Sequence, residues 1–188
     1  MRIIGGTWKG RVIAAPKGRG TRPTSDRVRE GIFSAVFSAI GELDGLHVAD
    51  FYAGSGALGL EALSRGAVSA VFVESDATAV AALRGNLAAL GVGAGQARIV
   101  GRSVTRIDAT RDLLEPCSLL FLDPPYRIDS SEVAQVLTDL ASAGALCEGA
   151  LIVYEHATGA SAGWPSAFTD TAEKRYGETT VSFAAYEG

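Results

Sequence analysis

A chain of 188 residues, 47% hydrophobic and 20% charged, holds enough apolar material for one globular domain of ordinary size, which excludes a disordered polypeptide. No apolar run approaches the roughly 20 residues that span a bilayer, and Met1-Arg2-Ile3-Ile4-Gly5-Gly6 lacks a signal peptide's apolar core, so a cytoplasmic protein is expected. The net charge of −4 hides an asymmetry: residues 1–29 carry eight Lys or Arg against Asp26 alone, +7, while the other 159 residues carry nine bases and twenty acids, −11.

Taken in chain order, residues 2–5 and 10–15 read as two short strands around "GTWKG", a hairpin or small sheet extension. Its arginines are interleaved with Ile3, Ile4, Trp8, Val12 and Ile13, the pattern of a folded basic segment that meets a polyanion. "PKGRGTRP" is a loop. Thr24 or Ser25 then caps a helix with an apolar stripe at Val28, Ile32, Phe33, Val36, Phe37 and Ile40, stopped by Gly41.

From Leu46 strands and helices alternate. "LHVADFY" is a strand and residues 57–65 a helix ended by Gly66. "SAVFVE" is a strand, residues 76–90 a helix ended by Gly91, and "ARIV" and "SLLFLD" are strands. Residues 130–142 are helical, "ALIVYEH" is a strand, and "AFTDTAEKRYGETTVSFAAY" reads as two strands turning near Gly177. Strands apolar on both faces, separated by helices, predict a parallel sheet covered on both sides, with the final hairpin making the last strand antiparallel. The expected organisation is an N-terminal extension over 1–23 and a doubly wound α/β domain over 24–188. Cys117 and Cys147 sit among apolar neighbours and read as reduced core thiols.

Ligands of such sheets bind outside the carboxyl ends of the strands. Gly54-Ser55-Gly56-Ala57-Leu58-Gly59 follows the first of these strands and fits G-x-G-x-x-G. Glu74, twenty residues after Gly54, ends the second strand where a carboxylate accepts the hydroxyls of an adenosine ribose. A dehydrogenase and a methyltransferase satisfy this pattern equally. Asp50, four residues before Gly54, separates them: a carboxylate sits badly beside a pyrophosphate but suits the sulfonium and ammonium of S-adenosylmethionine. Asp123-Pro124-Pro125-Tyr126 ends the fourth strand. Its prolines turn carbonyls outward, Asp123 adds an acceptor and Tyr126 an aromatic face, as an exocyclic amine on a nucleobase requires.

The order Asp50, Gly54-Ser55-Gly56, Glu74, Asp123-Pro124-Pro125-Tyr126 resembles the class I S-adenosylmethionine-dependent methyltransferases that act on exocyclic amines. "RIIGGTWKGR", "RPTSDRVRE", "FYAGSGALGLEALSRGA" and "LFLDPPYR" together resemble the RsmD family, over essentially the whole chain. The resemblance implies a Rossmann-like domain with a mostly parallel seven-stranded sheet, S-adenosylmethionine as cofactor, and methylation of the N2 amine of one guanine in 16S ribosomal RNA. By position it implies a base-holding site at Asp123, Pro124, Pro125 and Tyr126. It implies a cofactor site at Thr24, Asp50, Ala53, Gly54, Gly56, Glu74, Ser75, Arg102, Ser103 and Asp123. Ser103-Val104 stands where the family tends to have Asn-Ala, so adenine contacts there are expected to shift to backbone groups. RNA contacts are expected from Arg2, Trp8, Lys9, Arg11, Lys17, Arg19, Arg22 and Arg27, with Trp8 stacking on a base or packing on its own sheet and Arg29 solvated.

The expected partner is 16S ribosomal RNA within the small ribosomal subunit or its assembly intermediate, met by a monomer with no membrane and no metal. His47 and His156 are read as structural, Glu61 and Arg65 as a surface pair, and Tyr154 and Glu155 as candidates to line the base pocket. The competing readings are a DNA adenine-N6 or cytosine-N4 methyltransferase, a protein glutamine methyltransferase, and a non-catalytic RNA-binding assembly factor that keeps the fold. The dehydrogenase reading explains neither Asp50 nor the Asp-Pro-Pro-Tyr run.

Overall fold

The computed structural model describes residues 1–15, 26–113, 115–125 and 127–188. Lys17, Arg19, Arg22, Thr24 and Tyr126 lie outside the described residues, as does the alternative cap Ser25. After helix α1 (Asp26–Ile40) the β-α alternation runs as β1 (His47–Phe51), α2 (Ala57–Ser64), β2 (Ser69–Val73), α3 (Ala77–Leu90) and β3 (Ala97–Val100). It continues through α4 (Ala109–Asp112), β4 (Cys117–Leu122), α5 (Ser130–Ser142), β5 (Leu146–Ala157), β6 (Phe168–Tyr176) and β7 (Thr179–Tyr186).

The seven strands form one sheet in the order β3-β2-β1-β4-β5-β7-β6. Only β7 runs against the others, wedged between β5 and β6 and antiparallel to both. Side chains alternate across the sheet with period two. Val48, Phe72, Phe121 and Phe183 face one layer with Ile32, Phe33, Val36, Leu60 and Leu83 from the helices. Phe51, Val71, Leu120 and Ile152 face the other with Val133, Val136, Leu137 and Leu140 of α5. Each buried side chain of this size contributes about 1.5–3 kcal/mol. From β1 the chain steps outward to β2 and β3, then returns to lay β4 on the other flank of β1. That reversal opens a crevice outside the carboxyl ends of β1 and β4.

The N-terminal extension is folded, as its apolar interleaving predicts: Ile3 and Ile13 are buried. It is not the two-stranded hairpin expected over 2–5 and 10–15. One Arg2–Val12 bridge forms, supported by bonds from Ile3 N–H to the Arg11 carbonyl (2.9 Å) and from Ile13 N–H to the Met1 carbonyl (3.0 Å). The reason lies in α2. Glu61 is fully buried and accepts the N–H groups of Ile4 and Gly5, each at 2.7 Å, so these donors are turned away from a partner strand. Thr7 N–H donates to the Ser64 carbonyl (2.7 Å) and Trp8 N–H to Ser64 Oγ (2.9 Å), capping the end of α2.

Glu61 and Arg65 are therefore no surface pair. Arg65 Nε donates to Glu61 at 2.8 Å, and its guanidinium lies 4.8 Å from the Phe33 ring centre, beneath the extension. Arg29 is likewise not solvated. It is fully buried, with Nη2 on the Arg2 carbonyl (2.5 Å) and Asp26 (2.8 Å) and Nη1 against Met1 Sδ (3.2 Å). Both histidines are structural: His47 Nδ1 meets Ser69 Oγ, and His156 Nε2 meets Ser182 Oγ, each at 2.8 Å.

Gly6 is the tightest point of this strap. Its φ is +74°, and a Cβ there would lie 1.7 Å from the Ser64 carbonyl oxygen. Gly6→Ala is expected to lift the strap off α2 and lower stability by about 2–4 kcal/mol, with Trp8 emission shifting to that of a wetter ring. Thermal denaturation followed by tryptophan fluorescence checks it, and an unchanged midpoint would mean that the strap is not held here.

Candidate active site at the sheet switch point

Three carboxylates stand at the carboxyl ends of adjacent strands. Asp50 pairs in register with Phe72 on β2 and Phe121 on β4, and Phe51 pairs with Val73 and Leu122. Glu74 and Asp123 each follow those last partners, so they emerge level with Tyr52, on the two sides of β1. The backbone continues this ladder past the strands, with Ala53 N–H on the Val73 carbonyl (3.1 Å) and Asp123 N–H on the Phe51 carbonyl (3.4 Å).

The glycine loop between them is shaped by its φ angles. Gly54 (φ +55°) and Gly56 (φ +79°) are left-handed, a region costly for residues with a Cβ. Their roles differ. A Cβ on Gly56 would strike Leu83 Cδ1 at 2.4 Å and one on Gly59 would strike Phe72 Cε1 at 2.4 Å, so these two let α2 sit close on the sheet. Among the described residues, a Cβ on Gly54 would meet nothing nearer than the Tyr52 carbonyl at 4.0 Å. The open side of the loop is thus at Gly54, whose N–H donates to Glu74 Oε2 (2.8 Å) while Glu74 Oε1 accepts from Asp76 N–H (2.7 Å). Glu74 fixes the loop and remains half-buried beside it.

Asp50 is buried and accepts Gly59 N–H at 2.9 Å. Burial pushes its carboxyl well above the usual range; the Gly59 N–H pulls the other way, and the nearby charges of Asp123 and Glu74 add to the rise. A buried acid among other acids is an environment that favours a cationic ligand and repels a phosphate. Tyr52 joins this rim in a strained conformation, with φ 60° and a buried hydroxyl that has no hydrogen-bond partner among the described residues. Burial, assisted by Glu132 and Tyr154, pushes that phenol up to about 12.

The structure brings together Asp50, Ala53, Gly54, Gly56, Glu74 and Asp123 from the expected set. Pro124 is buried and Pro125 exposed beside them, and Ser75 is exposed at the end of β2. Arg102 and Ser103 turn to the β3–β4 crossover: Arg102 pairs with Asp112 at 3.2 Å, and Ser103 Oγ meets Thr105 Oγ1 at 2.9 Å. Tyr154 is a buried wall rather than an open lining, with its ring edge-on to Trp164 at 6.0 Å. On the strap, Arg2, Lys9 and Arg11 are exposed, as is Arg27 on α1, while Trp8 packs half-buried against the core. Two residues of the site region went unsingled, Ser55 and Asn86. Asn86 had a signal: it shares the buried stripe of α3 with Leu83 and Leu90, a place where a carboxamide needs partners.

A parallel sheet with one antiparallel insertion, a glycine loop after β1 and acids at the ends of β1, β2 and β4 defines a class I methyltransferase fold. The comparisons narrow it. The model of the family "Conserved hypothetical protein 95" matches residues 1–185. Ribosomal RNA small subunit methyltransferase D of Escherichia coli (strain K12) is 41% identical over 155 residues, covering 82% of this chain and 74% of that one. "Putative rRNA methyltransferase YlbH" of Bacillus subtilis (strain 168) is 37% identical over 162 residues, covering 83% and 82%. The solved structure "Putative methyltransferase yhhF from Escherichia coli" superposes with a TM-score of 0.82 at 35% identity, covering 100% of this chain and 98% of that one. The chain belongs to this family, that of the RsmD methyltransferases.

Proposed function

We propose that the chain transfers a methyl group from S-adenosylmethionine to the exocyclic N2 amine of a guanine in the RNA of the small ribosomal subunit. The observation that carries this reading is the acidic crevice at the switch point, with Gly54 open and Asp50 buried beside it. It fits a ligand that is cationic near Asp50 and carries an adenosine but no phosphate. Glu74 would hold the ribose hydroxyls, and Asp50 would face the ammonium and sulfonium.

S-adenosylmethionine supplies an electrophilic methyl whose bonding pair stays on sulfur when it leaves. The protein's work lies with the amine. Guanine N2 is a poor nucleophile because its lone pair is delocalised into the ring. Asp123 and the Pro124 carbonyl accept its two hydrogens, turn the nitrogen toward a tetrahedral shape and aim the lone pair at the methyl. As the N–C bond forms, one N2 hydrogen leaves as a proton through Asp123. Positioning and charge complementarity supply most of the acceleration. The base must be unpaired or extruded, since its N2 group is otherwise engaged in pairing. Tyr126 is proposed to stack on it, and Arg2, Lys9 and Arg11, with Lys17, Arg19 and Arg22, to grip the phosphate backbone in a salt-sensitive way.

The test is transfer from radiolabelled cofactor to small subunits lacking this modification, with free ribosomal RNA, DNA and protein alongside, followed by nucleoside analysis. The expected product is N2-methylguanosine from the subunit or its RNA. Label in the methyladenine of DNA would replace this reading with the DNA one, and cofactor binding without any transfer would favour a non-catalytic RNA-binding factor.

A further inference from the structure

Ser55 sits at the middle of the glycine loop, and two separate routes lead from it to the N-terminal strap. The first runs through Asn86. Its Nδ2 donates to the Ser55 carbonyl (2.9 Å) and to the Ala14 carbonyl (3.0 Å), while its Oδ1 accepts Ala14 N–H (2.8 Å). One carboxamide, 3% exposed, thus pairs both backbone groups of Ala14 and holds the loop at once. The second runs through Met1, whose Sδ lies 3.8 Å from Ser55 Oγ and 3.2 Å from Arg29 Nη1. Ala14 and Ala15 lead into the segment that carries Lys17, Arg19 and Arg22.

We propose that Asn86 is a positioning residue that couples the cofactor loop to the RNA-gripping strap, so that filling the crevice firms the strap and a held strap firms the crevice. The name of what the strap grips rests on the proposed function; the coupling itself does not. Its physical basis is that a buried carboxamide with three partners has no alternative partners to turn to. A loop that withdraws the Ser55 carbonyl leaves Nδ2 short of a bond and slackens Ala14. A ligand that fixes Ser55 removes that freedom, and linkage makes the effect reciprocal.

The test is amide hydrogen exchange on the full chain, with and without S-adenosylhomocysteine. In the wild type, the product is expected to slow exchange of Ile3, Gly10 and Ile13, three of the strap's bonded amides, by about fivefold or more. In Asn86→Ala that strap ratio falls to about one, while protection around residues 52–57 persists. An unchanged strap in the wild type overturns the proposal whatever the variant does, and an equal strap ratio in Asn86→Ala removes Asn86 from the route. Filter binding of small subunits separates the two readings. If strap protection appears but the product leaves subunit affinity unchanged, the coupling stands and the RNA grip of the proposed function falls.

Discussion

Asp123→Ala is expected to lower the turnover number for methyl transfer by about three orders of magnitude while the cofactor still binds. The side chain stands at the end of β4, beyond Leu122, and is half-buried where the target amine would meet the crevice. In the proposed mechanism the amine would then keep one acceptor, at Pro124, and its lone pair would stay in the ring. Loss of a preorganised acceptor weakens the transition state far more than the ground state, so the change falls on kcat rather than on KM. Single-turnover kinetics with saturating RNA, beside calorimetric titration of the cofactor, measures both. A variant within tenfold of the parent rate would remove Asp123 from the reaction.

Asp50→Asn is expected to make the ligand-free protein more stable and to weaken cofactor binding, both increasingly with pH. The folded protein holds the Asp50 proton more tightly than the unfolded chain does. At low pH both states are protonated and the acid costs nothing. As pH rises past the ordinary carboxylate range the unfolded chain releases its proton first, so stability falls through the window up to the raised folded value and stays lower above it. Asparagine keeps an acceptor for Gly59 N–H and carries no such cost. The gap between variant and parent should open above the ordinary carboxylate range, about pH 4, and widen as pH rises. A cationic cofactor seated as proposed would work in the opposite sense by stabilising the ionised carboxylate, and its affinity should drop about 10–100-fold in the variant. Urea denaturation across a pH series and titration calorimetry read the two effects. A variant less stable than the parent yet equally good at binding would overturn the assignment.

The central β-α alternation was legible because each parallel strand is a short apolar run closed by a turn residue, as in Ser69–Val73 and Cys117–Leu122. The three acids of the crevice were legible because each marks the carboxyl end of an apolar run, Asp50 one residue inside the end of β1 and Glu74 and Asp123 just past β2 and β4. What pattern alone could not show was partnership. Glu61 and Arg65 have the spacing of an exposed helix pair, and only the strap folded over them makes Glu61 a buried anchor. Arg29 carries the charge of a solvent-facing residue but is fully buried under Met1 and Arg2. The amides of Ile4 and Gly5 looked available to a hairpin, but a carboxylate from a distant helix takes them. Strand β5 begins at Leu146, ahead of the apolar run at Ala150, because Leu146 pairs with Cys117 and a register shift before the Leu119–Leu151 pair takes up the residues between. The 3-10 turn at Val104–Arg106 and α4 are too short to show a period.

The place of β7 has a consequence for how the molecule comes to exist. Thr179–Tyr186 follows the other six described strands in chain order, yet it lies between β5 and β6 and supplies hydrogen bonds to both. While the chain is being synthesised, β6 has no neighbour to pair with, and the outer flank of β5 stays bare. The nascent half-sheet is therefore an open edge until the final strand slides in as a keystone. Closure of this half of the sheet therefore waits on residues 179–186, and a chain without them keeps β5 and β6 but cannot join them.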